Sequence, residues 1–209
     1  PAPLTDYINK TTKALGYDDL LPIERNEIIA ASEVVLAEHT SEHKDFHLHQ
    51  DPVLIRKVRE EILNALNIKK ISPFRHVYVS RSRQKMRRLV NEQEVIQILS
   101  NYNFEIVYFE DMSYIDQVQL MHETKVFMGI HGANLTNMLF MQPDTTTIEI
   151  INLEALNSVY FRIASYINTL YYCLPSQAQQ LDVFNNDSDL KVDLNELRIT
   201  LEQYVFTSS

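Results

Sequence analysis

Cysteine, glycine and tryptophan are scarce or absent in this sequence of 209 residues, which has one cysteine (Cys173), three glycines and no tryptophan. A single cysteine excludes an internal disulfide framework and every metal site built from several cysteines. No apolar run approaches the roughly 20 residues of a membrane-spanning helix, and no signal-peptide pattern opens the chain. These absences favour a soluble protein of a reducing compartment. Because Pro1-Ala2-Pro3 contains no initiating methionine, we expect the chain to be a piece of a longer protein.

Basic residues are also in the minority. The chain has 28 acidic and 19 basic residues and a net charge of −9, which argues against a general nucleic-acid binder. Its hydrophobic fraction of 45% is enough for a sizeable core, and its length allows one domain or one and a half.

Predicted strands alternate with predicted helices over most of the chain, which is typical of an α/β fold with a parallel sheet and helices on both faces. Helices are predicted at 4–15, after the N-cap Asp51 and Pro52, after an Asn91–Glu94 capping box, after Ser113, and at 135–141, 158–168 and 194–205. Strands are predicted at 27–30, 33–37, 76–80, 104–109, 125–130, 147–151 and 170–174.

The connector at 68–74 is the predicted domain boundary. We expect residues 1–72 to be the end of a first α/β domain with its linker, and residues 73–209 to form a Rossmann-like domain. In such sheets ligands bind beyond the carboxyl ends of the strands, so these ends are where site residues are expected.

One strand end is strongly basic. Six of the 19 basic residues lie between Arg75 and Arg88, with no acidic residue among them. The guanidinium groups of Arg81 and Arg83 can hold phosphate oxygens bidentately, and the Ser80 hydroxyl can add a further donor. The stretch is therefore either a site for a small polyanion or a solvated basic loop.

A second strand end carries two of the three glycines, in the run Gly129-Ile130-His131-Gly132-Ala133-Asn134. Glycine permits a close approach of the backbone to a ligand, and the free amides at a helix start favour an anion. Asn134 is a candidate for a left-handed turn position, and His131 is expected to project into the same crevice. The run is neither a P-loop nor a dinucleotide fingerprint.

Taken together, the Val-Ser-Arg strand end, the basic stretch, Asn91-Glu92 and the run Gly-Ile-His-Gly-Ala-Asn-Leu-Thr-Asn resemble glycosyltransferase family 61. The resemblance is dense over residues 76–150 and thinner on both sides. It implies the C-terminal part of a GT-B-like enzyme that transfers a sugar, with inversion, from a nucleotide sugar, with UDP as the expected nucleotide. The expected acceptor is a glycan or another molecule, and one expected role is capsular or extracellular polysaccharide biosynthesis.

The resemblance also implies roles for individual residues. It places Ser80 and Arg81 on the nucleotide diphosphate, His131, Gly132 and Ala133 along the sugar-diphosphate site, Asn137 as a brace of the loop, and Glu149 at the ribose or base. His131 is the candidate catalytic residue. The full predicted nucleotide-sugar site consists of Ser80, Arg81, Arg83, Gly129, His131, Gly132, Ala133, Asn134, Asn137 and Glu149.

No metal and no cofactor are expected, because fixed positive charge at the diphosphate takes the place of a metal-binding carboxylate pair. The acceptor side of the site is expected to be truncated, so that this chain alone binds the nucleotide but transfers sugar poorly. The expected location is cytoplasmic for a bacterial protein, or the Golgi or endoplasmic reticulum lumen for a eukaryotic one.

Three alternatives remain open at this stage. A non-catalytic anion-binding or assembly domain of the same fold is the main one, and RNA binding through 75–88 is disfavoured by the charge. The histidines at 39, 43, 47 and 49 suggest either a metal site, a solvated loop or a role at an interdomain crevice. The aromatic residues between 160 and 172 are interpreted as core and rim rather than as a stacking platform.

Overall fold

The structure is a computed structural model that describes residues 6–17, 20–21, 28, 30–33, 51–180 and 187–206. The chain divides into two units, Pro1–Ile68 and Lys69–Ser209. The assignment of the two parts to an acceptor-side and a nucleotide-sugar-binding domain stays a prediction. Within the described part of the chain, no helix is both long and apolar enough to cross a membrane.

The first unit contains helices α1 (Asp6–Ala14) and α2 (Pro52–Ala65). The start of α2 is the predicted one, because Asp51 accepts hydrogen bonds from the amides of Val53 at 2.8 Å and Leu54 at 3.4 Å. Of the strands predicted at 27–30 and 33–37, only residues 28, 30 and 33 are described, and these three are not in strands. The histidine-rich stretch 39–49 lies outside the described residues.

The second unit is built on one six-stranded sheet with the strand order β2-β1-β3-β4-β5-β6. Its strands are β1 (Arg75–Val79), β2 (Phe104–Val107), β3 (Thr124–Ile130), β4 (Thr146–Asn152), β5 (Leu170–Ala178) and β6 (Leu190–Val192). The first five pair in parallel, which confirms the α/β class and the parallel pairing. The expectation of a wholly parallel sheet is wrong at one edge, because β6 pairs with β5 antiparallel.

Among the described residues of this unit, four α-helices connect and follow the strands: α3 (Glu92–Ser100), α4 (Tyr114–Glu123), α5 (Val159–Ile167) and α6 (Leu194–Ile199). Three further segments are 3₁₀ turns at Phe109–Asp111 and Ala133–Phe140, and a π-helical turn at Thr200–Val205. The predicted strand at 104–109 therefore ends early, and the predicted helices at 135–141 and 194–205 are 3₁₀ and part π-helical, respectively.

Two predicted helix caps have different outcomes. Ser113 caps α4, since its hydroxyl accepts from the amide of Asp116 at 3.3 Å. The capping box predicted at Asn91–Glu94 is wrong, because Asn91 precedes α3 without any side-chain cap bond. Its amide group pairs with the backbone of Val192 in β6 instead.

The two faces of the sheet are covered by different elements. Alternation along the strands puts Tyr78, Met128 and Ile148 on one face, where they form a core with residues of α3 and α6. On the other face, Gly129 lies against Leu135 of the 3₁₀ segment, and the Tyr171 ring contacts Phe161 of α5. The helices on both faces that the sequence predicts are therefore present.

Candidate functional site

The strand order reverses between β1 and β3, because the chain adds β2 on one side of β1 and β3 with its successors on the other. In doubly wound sheets such a switch point opens a crevice at the carboxyl ends of the strands. Val79 of β1 pairs with Gly129 of β3, so the segments that begin at Ser80 and His131 leave the sheet side by side. The two strand ends that the sequence singles out therefore meet at this switch point.

Two arginines lie over the backbone of Gly132. A Cβ atom built on Gly132 would be 3.3 Å from Nη1 of Arg81 and 3.6 Å from Nη1 of Arg87. Arg87 holds this position with a φ of 57°, a left-handed conformation that is uncommon for arginine and that clusters at functional sites. The two like charges thus converge on one stretch of backbone.

Arg81 and Arg87 differ in their partners. Arg87 Nη2 forms an ion pair with Asp187 at 3.0 Å, whereas Arg81 makes no ion pair with any residue that the structure describes. Burial, and then the charge of Arg87, lower the pKa of Arg81. The Nε atoms of both arginines are buried and have no hydrogen-bond partner within the described ranges. A guanidinium stays charged in proteins, so the site has positive charge that its own carboxylates do not fully neutralise.

The other arginines of the basic stretch face carboxylates outside it. Arg75 pairs with Glu105 and Glu123, and Arg88 pairs with Asp189 at 2.7 Å. Arg83, a predicted site residue, pairs with Asp111 at 2.6 Å and stacks on the Tyr108 ring at 3.8 Å. The structure therefore does not bring the Arg83 guanidinium to Gly132 as it does those of Arg81 and Arg87.

Gly132 itself has φ 155° and ψ 176°, a backbone conformation that is essentially restricted to glycine. The Tyr160 hydroxyl donates a hydrogen bond of 2.6 Å to the Gly132 carbonyl oxygen. Burial raises the pKa of this tyrosine, so its hydroxyl remains a donor. Tyr160 thereby anchors the turn from α5.

His131 and Glu149 form a buried pair next to this turn. The Nδ1 atom of His131 is hydrogen-bonded to Oε1 of Glu149, and the Tyr171 hydroxyl donates to Oε2. The His131 ring also meets the Tyr160 ring edge-on, with 5.2 Å between centroids. The Glu149 side chain is fully buried and both of its oxygens have internal partners, and its predicted contact with a ribose or base stays a prediction.

Ser80 belongs to a second buried group. Its hydroxyl donates to Glu92 at 2.8 Å, and the Tyr78 hydroxyl donates to the same carboxylate oxygen at 2.7 Å. Since Ser80 has no exposed surface, the structure shows it joining β1 to the start of α3, and its predicted contact with a diphosphate stays a prediction.

The remaining predicted residues lie around the turn. Gly129 is inside β3 beneath Leu135, whereas Ala133 is exposed at the start of the 3₁₀ segment. The Asn137 amide donates to the Asn134 carbonyl oxygen at 3.3 Å, a bond that braces the turn. The left-handed conformation expected for Asn134 is wrong, since Asn134 is not among the residues of positive φ.

Three residues of the site lie outside the predicted set. Arg87 belongs to the basic run but not to the predicted site, and Tyr160 and Tyr171 are among the aromatic residues interpreted as core and rim. No local signal identifies Tyr171, because only the pairing of β5 with β4 places it on the face of Glu149. The expectation of metal-independent binding included the absence of an Asp-x-Asp pair, and this is wrong, since the sequence contains one such triplet at Asp187–Asp189. In the structure Asp187 pairs with Arg87 and Asp189 with Arg88.

Comparison with known proteins gives this site its context. The model of the family Glycosyltransferase 61 matches residues 4–148. The EGF domain-specific O-linked N-acetylglucosamine transferase of Pan troglodytes is 30% identical over 114 residues, which cover 50% of this chain and 21% of that protein. The enzyme of that name from Drosophila melanogaster is 33% identical over 110 residues, with 50% and 21% covered. Alpha-1,3-arabinosyltransferase XAT2 of Oryza sativa subsp. japonica is 33% identical over 75 residues, with 34% and 12% covered.

The matches place the chain in a class of enzymes, the glycosyltransferases. More particularly, the chain belongs to glycosyltransferase family 61, since the family model matches well over half of its residues. The matched segment spans about a fifth of the length of the O-linked N-acetylglucosamine transferases.

Proposed function

We propose that the unit Lys69–Ser209 binds the diphosphate of a nucleotide sugar, with UDP as the nucleotide, and that the whole protein transfers the sugar with inversion to a glycan or another acceptor. The unit then corresponds to the nucleotide-sugar-binding half of a GT-B-like enzyme. The observation that carries the proposal is the convergence of Arg81 and Arg87 on the Gly132 backbone at the switch point. The family supports sugar transfer, and this geometry supports the diphosphate as the group that is bound.

The charge balance of the site favours an anion of more than one charge. Two guanidiniums that approach each other repel, and an anion between them turns that repulsion into two charge-assisted hydrogen-bonded pairs. Of these two arginines, only Arg87 has a carboxylate partner among the described residues, so Arg81 is the better placed to bind an incoming phosphate. Gly132, without a Cβ, keeps the space between the guanidiniums and the backbone open.

The proposed reaction places these charges where they are needed. The acceptor hydroxyl oxygen attacks the anomeric carbon, the bond from that carbon to the diphosphate oxygen breaks, and the electron pair leaves with the diphosphate. Arg81 and Arg87 stabilise the negative charge that develops on this leaving group. A base takes the hydroxyl proton, and His131 is the candidate because it adjoins Gly132.

The relatives differ in the sugar that their names specify, so they do not assign one sugar or one acceptor to this chain. Their names specify N-acetylglucosamine in one group and arabinose in another, so the family accommodates more than one sugar. We include capsular or extracellular polysaccharide among the proposed acceptors, together with other glycans.

Titration calorimetry with UDP tests the proposal. We expect the chain to bind UDP and the Arg81→Ala variant to bind it at least ten-fold more weakly, because a charge-assisted hydrogen-bonded contact contributes about 1.5–3 kcal/mol. Arg198→Ala is the matched control, since Arg198 is an exposed arginine of α6 and its loss should leave the affinity unchanged.

Two results would contradict the proposal. One is equal affinity of the chain and the Arg81→Ala variant for UDP. The other is binding of inorganic phosphate as tight as that of UDP, which would favour a general anion-binding domain instead.

A further inference from the structure

Glu149 is a carboxylate that the proposed binding of the diphosphate does not use. Its side chain has no exposed surface, and each of its two oxygens has one partner, His131 Nδ1 on one side and the Tyr171 hydroxyl on the other. A carboxylate is costly to bury unless such partners replace the lost water. Glu149 lies in β4, Tyr171 lies in the neighbouring β5, and His131 follows the end of β3. The pairing of these strands therefore brings the three side chains together.

The hydrogen-bonding capacity of these groups determines where their protons lie. An ionised carboxylate only accepts hydrogen bonds, so both partners of Glu149 must donate. Tyr171 is a donor, because burial and then the charge of Glu149 raise the pKa of its hydroxyl. His131 must therefore carry a proton on Nδ1, and its neutral ring then has the lone pair on Nε2.

The position of the His131 ring is fixed on three further sides. Its backbone amide donates to the carbonyl of Ile150 at 2.8 Å, its ring meets Tyr160 edge-on, and Tyr160 holds the next residue, Gly132. Within the part of the chain that the structure describes, Nε2 makes no hydrogen bond, and the His131 side chain keeps an exposed fraction of 10%. Nε2 is thus the one polar atom of the ring left for a ligand.

We propose that Glu149 and Tyr171 are positioning residues that hold His131 as the Nδ1–H tautomer and present its Nε2 lone pair to the ligand bound by Arg81 and Arg87. The clause on the ligand rests on the proposed function, whereas the tautomer is a property of the free protein. This role differs from the nucleotide contact that the sequence predicts for Glu149.

Long-range ¹⁵N–¹H correlation spectra of the histidine rings test the tautomer in the full chain. They are recorded at rising pH until the ring signals stop changing, so that the neutral rings are compared. The chain has seven histidines, and the signal missing from a His131→Gln variant identifies the ring of interest. We expect the Nδ1–H form in the unaltered protein.

Glu149→Gln is the decisive variant. The glutamine side chain has nearly the same shape but can turn its amide N–H toward Nδ1, so we expect the dominant form of His131 to change to Nε2–H. Tyr171→Phe removes one donor from Glu149 but leaves a carboxylate that only accepts, so the Nδ1–H form should persist with shifted ring signals. Tyr172→Phe is the matched control, because the neighbouring Tyr172 hydroxyl donates to the Tyr204 carbonyl at 2.9 Å on the other face of β5. It should leave the spectrum of His131 unchanged.

The outcomes separate this inference from the proposed function. An Nε2–H form in the unaltered protein, or an unchanged tautomer in a folded Glu149→Gln variant, would overturn the inference. This holds whether or not the chain binds UDP. UDP binding that leaves the His131 ring signals unmoved would overturn the orientation of Nε2 while the proposed function stands. A missing response to UDP by calorimetry would remove the proposed function and leave the tautomer to be judged by the spectra.

Discussion

At the scale of single residues, Gly132 is the position where backbone conformation and ligand space depend on the same missing atom. Its φ of 155° is costly for any residue with a Cβ, and that Cβ would lie 3.3 Å from a guanidinium nitrogen of Arg81. The guanidinium is the flexible end of its side chain and can shift by a few tenths of an ångström. The backbone strain cannot be relieved by a side-chain movement. We therefore expect it to contribute more to the loss of stability than the contact with Arg81.

Gly132→Ala should therefore weaken UDP binding at least ten-fold and lower the free energy of unfolding by about 1–3 kcal/mol, the cost of a residue held in such a region. Calorimetry and urea denaturation measure the two effects. Gly129→Ala is the matched control, because Gly129 lies inside β3 and its new Cβ would press on Leu135 at 3.2 Å. It should affect stability and leave UDP affinity within two-fold. If Gly132→Ala binds UDP normally, the turn is not part of the site.

At the scale of elements, the exit of the basic stretch is joined to β6 by backbone and side-chain bonds. The Val90 amide donates to Leu190 at 2.9 Å, and the Leu190 amide donates to Arg88 at 2.8 Å. Next to them the Asn91 side chain donates to the Val192 carbonyl at 2.9 Å and accepts from the Val192 amide at 3.1 Å. Asn91 thus pairs with β6 as a strand residue would, and holds the segment that carries Arg87 against the sheet edge.

Asn91→Ala leaves the buried amide and carbonyl of Val192 without these partners. Since each unsatisfied group costs about 1–3 kcal/mol, we expect the free energy of unfolding to fall by roughly 2 kcal/mol or more. Urea denaturation measures the total, and hydrogen exchange at the Val192 amide should accelerate. Asn101→Ala is the control, because Asn101 is an exposed residue at the end of α3, and its substitution should change stability by less than about 0.5 kcal/mol. Equal stability of both variants would show that the Asn91 bonds are dispensable.

The same elements show what local sequence can and cannot predict. Strands β1, β3 and β4 each carry at least three buried apolar residues, and the sequence predicts each strand to within a residue at either end. Strand β6 has three residues, and its antiparallel partner β5 is ten positions or more away, so no local pattern identifies it. Asn91 and its neighbours look like a capping box for a related reason, because the partner that takes the Asn91 side chain is a hundred residues distant.

The site residues show the same difference between local patterns, which the sequence reveals, and distant partners, which it does not. Arg81 and Gly132 were predicted because each stands at a strand end, and strand ends are visible in the sequence. Tyr160 and Tyr171 were not, since their roles come from a carbonyl and a carboxylate supplied by other elements. The contact that Ser80 makes with Glu92 was missed for this reason as well.

At the scale of the whole molecule, most of the local positive charge in the basic stretch is balanced by acids from elsewhere in the chain. Arg75, Arg83, Arg87 and Arg88 all have carboxylate partners, and these come from β2, from α4, from the 3₁₀ turn after β2 and from the residues before β6. An extended nucleic acid needs many free cations along its path, and this arrangement offers few. The positive charge that remains at Arg81 and Arg87 is better suited to a small anion.

Substitution of Asp187 tests whether fixed arginine charge or a metal ion neutralises the diphosphate. Asp187 is the first residue of the Asp-x-Asp triplet, yet its carboxylate faces Arg87 at 3.0 Å. In the arginine-based site Asp187 competes with the ligand for Arg87, so Asp187→Asn should leave UDP affinity unchanged or raise it several-fold, and EDTA should have no effect. Asp144→Asn removes the same charge at the turn before β4, at the opposite end of the sheet, and controls for the net charge of −9. A metal held by the triplet predicts the reverse: calorimetry would show UDP binding lost in Asp187→Asn and in EDTA, and restored to the unaltered chain by Mn²⁺.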